Sequence, residues 1–333
     1  MNRIVCVASV LLCAAVPIVS QTQPSAEDEW TLPRTPDGKP DLQGFWTTQT
    51  YTPLQRPSHF EGRAFLTDEE MAQLTALVTA DGVDPLGPNP LAIANAEERW
   101  AGTGQRDPTH YDNAQWLTTT RPKALTSNRT SLVVDPLDGR IPPMTPEAQA
   151  RNEARRGARG LGGHEERSAT ERCLVWRHEG PPWVPPPYND VVQIFQAPGY
   201  VVLFPELSIN PVRIIPIDSR PPLSPRIRQW SGDSHGRWEH DTLVVETTNF
   251  TSKTAFQGSS EMLHVTERFT RVDADLIMYT FTVRDPRTWE IPWSAEVPMI
   301  AEEGPLYEYA CHEGNYGIVN ILRGARGADR DSP

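Results

Sequence analysis

Downstream of Tyr188, the chain turns into short runs rich in apolar β-branched and aromatic residues, separated by polar turns. V-V-Q-I-F-Q from Val191, G-Y-V-V-L-F from Gly199, V-R-I-I-P-I-D from Val212 and D-T-L-V-V-E-T-T-N-F from Asp241 are four of them. H-V-T-E-R-F-T-R-V from His264, L-I-M-Y-T-F-T-V-R-D from Leu276 and Y-E-Y-A-C-H-E-G from Tyr307 complete the set, so the pattern predicts about seven strands. The gaps between them are short, which predicts antiparallel pairing through hairpins. E-H-D at Glu239 suits a tight turn in which His240 or Asp241 takes a left-handed conformation, and D-A-D at Asp273 repeats the design. A meander of this length has to close or be covered, because an open edge pairs with other chains. The expected fold is mainly β: an antiparallel meander over residues 188–325, closing into a barrel or a strongly bent sheet.

Residues 21–187 read differently. The chain contains 33 prolines, about twice the usual share, and these favour extended and looping segments over long helices. Two short helices are predicted, both wrapped with the rest of this half over the edge and mouth of the sheet. Leu66–Ala80 has Thr67 as cap, Glu70 three residues on to complete a capping box, and Met71, Leu74, Leu77 and Val78 at helical spacing. Pro146–Arg159 follows Thr145 and has almost no apolar face, as in a solvated helix. Residues 326–333 are expected to form a disordered tail.

The N-terminus changes the picture of the compartment. Arg3, the apolar run Ile4–Val16 and the small or polar residues near Ser20 read as a signal peptide over residues 1–20. Its apolar run is short for a membrane anchor, and no later stretch is apolar enough to insert. Cys13 follows two leucines rather than a small residue, which argues against a lipid anchor. The expectation is a periplasmic or secreted protein. Removing the leader takes away Cys6 and Cys13 and leaves Cys173 and Cys311, a pair expected to form a disulfide in an oxidising compartment.

The formal charge of -12 and the lack of a basic stripe exclude nucleic acid and anionic membrane as natural partners. No phosphate loop, dinucleotide fingerprint, H-E-x-x-H, C-x-x-C or H-x-H occurs, so neither an organic cofactor nor a metal is expected. Gly232-Asp233-Ser234-His235-Gly236 spells a nucleophile elbow, but that elbow needs a helix after it and here a hairpin follows.

Facing arguments supply the candidate chemistry. In L-H-V-T-E-R-F-T-R, Glu267 shares a face with Leu263, Val265 and Phe269. A carboxylate there must pair with a cation, such as Arg284 or Arg228, or titrate at a raised pKa beside a cavity. Along Y-E-Y-A-C-H-E-G a regular strand sends Tyr307, Tyr309, Cys311 and Glu313 one way and His312 the other, so Cys311 and His312 do not act as a unit. His312 is the candidate general acid or base, with Glu313 or Asp233 as its partner and Glu267 as a second carboxylate. Trp46, Trp238, Trp293, Tyr188 and Arg228 are the candidates for binding a small molecule.

The segments R-Q-W-S-G-D-S-H-G-R-W-E-H-D-T-L-V-V-E-T-T-N-F, L-H-V-T-E-R-F-T-R-V-D-A-D and Y-E-Y-A-C-H-E-G-N-Y resemble those of a large family of exported bacterial proteins, most of them uncharacterised. A fainter echo lies in P-D-G-K-P-D-L-Q-G-F-W. The resemblance implies membership rather than a reaction. Where relatives tend to carry H-E-M-I-H-D-A-R, this chain runs from Pro205 to Arg213, keeping Glu206 and Arg213 but neither histidine; His235 stands where relatives tend to have arginine. The strand texture is also similar to calycin barrels of the lipocalin type. The resulting expectation is an exported enzyme (hydrolase, lyase or isomerase) acting on a small organic molecule by cofactor-independent acid-base chemistry, with a non-catalytic ligand carrier or envelope-associated binding protein as the alternative.

Overall fold

Period-two patterning is realised as one antiparallel sheet rolled into a nearly closed barrel. The computed structural model describes residues 30–78, 91, 126–157, 163–175, 180–185, 191–206, 212–218, 220–253 and 256–331. The expected signal peptide over residues 1–20 and Tyr188 lie outside the described residues. The strands are β1 (Gly44–Thr47), β2 (Val133–Asp135), β3 (Val191–Ala197), β4 (Tyr200–Pro205), β5 (Arg213–Pro216), β6 (Asp233–Glu239), β7 (Thr242–Thr248), β8 (His264–Asp273), β9 (Leu276–Arg284) and β10 (Trp293–Glu302). Their hydrogen-bonded order is β5-β4-β3-β1-β10-β9-β8-β7-β6, with β2 paired to β10 off that path.

The barrel therefore differs from the expected run of residues 188–325. β1, from the irregular half, is inserted between β3 and β10, pairing Trp46 with Val192 on one side and with Ala301 on the other. β10 escapes prediction because Pro298 interrupts it. That proline sits between the stretch paired to β2, at Ser294 and Ala295, and the stretch paired to β1, from Ile300, where only β9 lies opposite.

The predicted strand at Tyr307 does not form. Its alternation is real, but the place beside β10 is occupied by β1. Residues 303–315 run as coil and turn, and a helix, α3 (Tyr316–Asp331), follows, in place of the expected tail. The facing argument for Cys311 and His312 falls with that strand.

Both predicted helices are present, α1 (Asp68–Val78) and α2 (Pro146–Gly157). The capping box closes at α1: the Glu70 amide donates to the Thr67 hydroxyl at 3.2 Å and the Thr67 amide to Glu70 Oε2 at 2.8 Å. Thr145 caps α2 through the Ala148 amide at 3.2 Å. The β6–β7 turn places His240 at φ 54°, in the left-handed region. Cys173 and Cys311 are joined by a disulfide across 138 positions of sequence. Among the described residues no helix is long and apolar enough to cross a membrane.

Inside the barrel the core is continuous. Val192, Ile194, Val201, Leu203, Leu243, Val245, Val265, Phe269, Tyr279, Phe281, Trp293 and Val297 are all buried in one cluster. Nine strands lie on the hydrogen-bonded path, and every neighbouring pair is antiparallel. Strict alternation over an odd number of strands brings the end strands together in the same direction, so β5 and β6 meet parallel. Among the described residues no backbone ladder joins them. Side chains close this seam instead. Gly236 in β6 has no Cβ, and one added there would come within 2.4 Å of Ile217 Cδ1 and 2.9 Å of Ile215 Cγ2.

Candidate functional site

The seam has a polar interior and an open end. In the interior, Arg213 of β5 reaches across to three other strands. Its Nε donates to Ser234 Oγ at 3.0 Å and its Nη2 to Thr247 Oγ1 at 2.8 Å. Its Nη1 donates to Glu267 Oε1 at 3.0 Å, while Nη2 also contacts Glu267 Oε2. Tyr279 donates its hydroxyl to Glu267 Oε1 at 2.9 Å and accepts the Trp183 amide at 3.0 Å.

Glu267 is fully buried and the Arg213 side chain is 10% exposed. The carboxylate thus takes the ion-pair reading of its apolar face, with Arg213 rather than Arg284 or Arg228 as its cation. Burial, and then the adjacent Glu267 charge, push the Tyr279 phenol well above its ordinary range. Every polar member of this cluster has its partner inside the barrel, and the cluster does not line the cleft described below.

Where β5 ends, the seam opens into a cleft of about 400 Å³. Three elements make it. The β3–β4 hairpin contributes Gln196, Ala197, Gly199, Tyr200 and Val201; its turn uses Pro198 for a fixed φ and Gly199 for φ 79°. The chain leaving β5 contributes Ile217 and Asp218, and β6 contributes Gly236, Arg237 and Trp238. Asp37 and Lys39, from the T-P-D-G-K turn, stand at the rim.

Charges around the cleft are mostly engaged already. Arg220 grips Asp218 through Nε at 2.9 Å from both oxygens and through Nη2 at 2.6 Å. These hydrogen bonds hold the Asp218 carboxyl below the usual carboxylate range. Arg220 also donates to the Tyr200 hydroxyl at 2.8 Å and lies over that ring, 5.3 Å from its centroid. Arg237 is bound to Glu239, Nε to Oε1, at 2.9 Å. Gln196 spends its amide on the backbone, donating to the Pro40 carbonyl at 3.0 Å and accepting the Leu42 amide at 2.6 Å.

The sequence-derived site residues do not converge. His312 and Glu313 are exposed in the turn before α3, far in the connectivity from the cleft-forming strands. Asp233 sits at the start of β6, where its Oδ2 accepts the Leu223 amide at 2.8 Å and lies 3.0 Å from His235 Nε2. Trp46 is core: its indole donates to the Leu42 carbonyl at 2.9 Å and Arg271 covers its ring. Trp293 is core too, stacked on Phe256 and edge-on to Trp289 and Phe281. Arg228 is exposed and donates to the Glu261 carbonyl at 2.9 Å.

Of the predicted binding residues that lie among the described residues, Trp238 alone lines the cleft. Asp37, Lys39, Tyr200, Asp218 and Arg237 were missed. The one signal for them is the turn-rich T-P-D-G-K segment, whose neighbourhood meets the β3–β4 hairpin across a sequence separation of 154 at the Leu42–Gln196 hydrogen bond.

Among the described residues no group of three or more His, Cys, Asp or Glu side chains could hold a metal ion. No protein-family model, no curated protein and no solved structure matches the chain.

Proposed function

We propose that this is an exported small-molecule-binding protein whose ligand occupies the cleft at the open end of the β5–β6 seam. One observation carries the reading: the 400 Å³ cleft gathers two aromatic rings, aliphatic side chains and charged groups at the seam where, among the described residues, no ladder joins β5 to β6. Ligand sites of this kind combine apolar walls with a few placed polar groups. The barrel interior is filled by side chains and a satisfied ion pair among the described residues. The leader-like N-terminus and the disulfide support export, and membership of the exported bacterial family remains part of this proposal.

A thermal-shift screen of small molecules tests it, since a ligand that binds only the folded state raises the melting temperature by mass action. Ala197→Trp, on the exposed hairpin, fills the cleft. The expected result is a ligand-induced shift in the wild type that disappears in A197W while the unliganded melting temperature stays the same; a shift that persists in the variant places the ligand elsewhere and sinks the reading.

A second reading keeps acid-base chemistry, and one observation favours it. His235 Nε2 lies 3.0 Å from Asp233 Oδ2, immediately before the stretch of β6 that lines the cleft. In this reading His235 takes the part first given to His312, and Asp233 orients it. A bound compound that is turned over, with a loss of about 10²-fold or more in His235→Asn, supports it; a compound recovered unchanged leaves the carrier reading.

A further inference from the structure

We infer that the cleft takes an uncharged, polyhydroxylated ring, a mono- or disaccharide; the inference rests on the binding reading above and names its ligand. The cleft's own charges cancel, with Asp37 and Asp218 against Lys39 and Arg237, so no net field selects an anion or a cation. Two of these charged groups are already held by residues outside the cleft lining. Asp218 is gripped by Arg220 at 2.6 Å and Arg237 by Glu239 at 2.7 Å. An ionic ligand has to compete with those partners for the same atoms.

Hydroxyl groups meet no such competition. Each one donates and accepts at once, so neighbouring hydroxyls satisfy the free lone pairs of a carboxylate and the free N–H groups of a guanidinium or ammonium side by side. The walls fit the rest of such a ring. Trp238 offers an aromatic surface of the kind that packs against apolar C–H faces. Arg220 caps the Tyr200 ring, 5.3 Å from its centroid, which fixes that ring in place. At about 400 Å³ the cleft is near the small end of ligand sites, about 300 to 1,000 Å³, which suits one or two rings rather than a polysaccharide strand.

The test follows tryptophan fluorescence and calorimetry during titration with neutral saccharides (glucose, galactose, xylose, maltose, cellobiose), with benzoate as an aromatic anion and with benzylamine as an aromatic cation. The expected result is saturable binding of at least one saccharide, with an affinity that does not change as salt is raised, because no ion pair is formed. Trp238→Ala should weaken that binding about tenfold. Trp238 also packs on the core, so Tyr200→Ala on the exposed hairpin serves as a second variant with the same expectation.

Binding of benzoate or benzylamine with none of the saccharides overturns the inference while leaving a ligand-binding cleft. Failure of all three probe classes, together with a thermal-shift screen that A197W does not alter, removes both.

Discussion

Across β7, β8, β9 and β10 the sheet is built from strands of 7, 10, 9 and 10 residues in continuous antiparallel ladders, with one register shift in β8 between Arg271 and Asp273, whereas β5 has 4 residues and meets β6 without a ladder. The first region is held by backbone hydrogen bonds that any suitable strand sequence would make. The second depends on particular side chains: one arginine that clasps three strands, and two isoleucines that need a glycine opposite. Closure by side chains leaves room where the side chains run out, and the cleft opens there. Binding and structural weakness thus share a location, as expected when function is drawn from the less stable part of a fold.

That contrast can be broken most forcefully at its clasp. Arg213→Met leaves the Glu267 carboxylate buried without its cation and should cost about 3 to 5 kcal/mol, read from the midpoint of urea unfolding. Adding Glu267→Leu should recover most of the loss, because the cost lies in the stranded charge. If the single variant unfolds with the wild-type midpoint, the clasp does not hold the seam.

A smaller effect is expected from Gly236→Val. Its Cβ would lie 2.4 Å from Ile217 Cδ1 and 2.9 Å from Ile215 Cγ2, so β5 must shift outward, at about 1 to 3 kcal/mol. Hydrogen exchange should report the damage in β4 and β5 while β8 and β9 stay protected; uniform loss of protection would mean that the two regions do not differ.

The smallest effect concerns Tyr279, which stands where the long arc meets the clasp. Its folded pKa is raised, so the folded molecule keeps the phenol protonated where the unfolded chain ionises, near pH 10. This group's contribution is whole below about pH 10 and is lost as pH rises, at up to about 1.4 kcal/mol per unit. Tyr279→Phe should therefore flatten the decline in stability between about pH 9 and about pH 11. An unchanged slope would show that the phenol ionises as readily inside the barrel as outside.

Local signals were the legible ones. The Thr67–Glu70 capping box, the left-handed residue in the E-H-D turn and the alternation of β3, β4 and β7 to β9 each involve residues close in sequence, so their physics is complete within a few positions. The Cys173–Cys311 pair was legible for another reason: with Cys6 and Cys13 assigned to an expected leader, the sequence offers these two thiols no other partner. Glu267 was recognisable as a carboxylate on an apolar face, but its partner was not, because Arg213 approaches from a strand at the far end of the hydrogen-bonded path. β10 was hidden by Pro298, whose missing amide is tolerable only because of how β1 and β2 divide that strand between them.

The run at Tyr307 shows the opposite failure. It alternates as a strand should, yet alternation alone supplies no partner, and β1 holds the place beside β10. His312 was singled out by residue type, an imidazole suited to acid-base work, which says nothing of its surroundings, and the histidine lies in an exposed turn.

Sequence by itself determined that this chain makes an antiparallel β barrel, where its two upstream helices start, and that its two downstream cysteines pair. Periodicity, caps and composition act over short spans and do not depend on what else the chain does. The order of strands, the parity that leaves a parallel seam, the identity of the cation beside Glu267 and the position of the cleft were decided only by the tertiary structure. Each of them is set by which distant segment reaches a given edge first, and that is a property of the closed sheet as a whole.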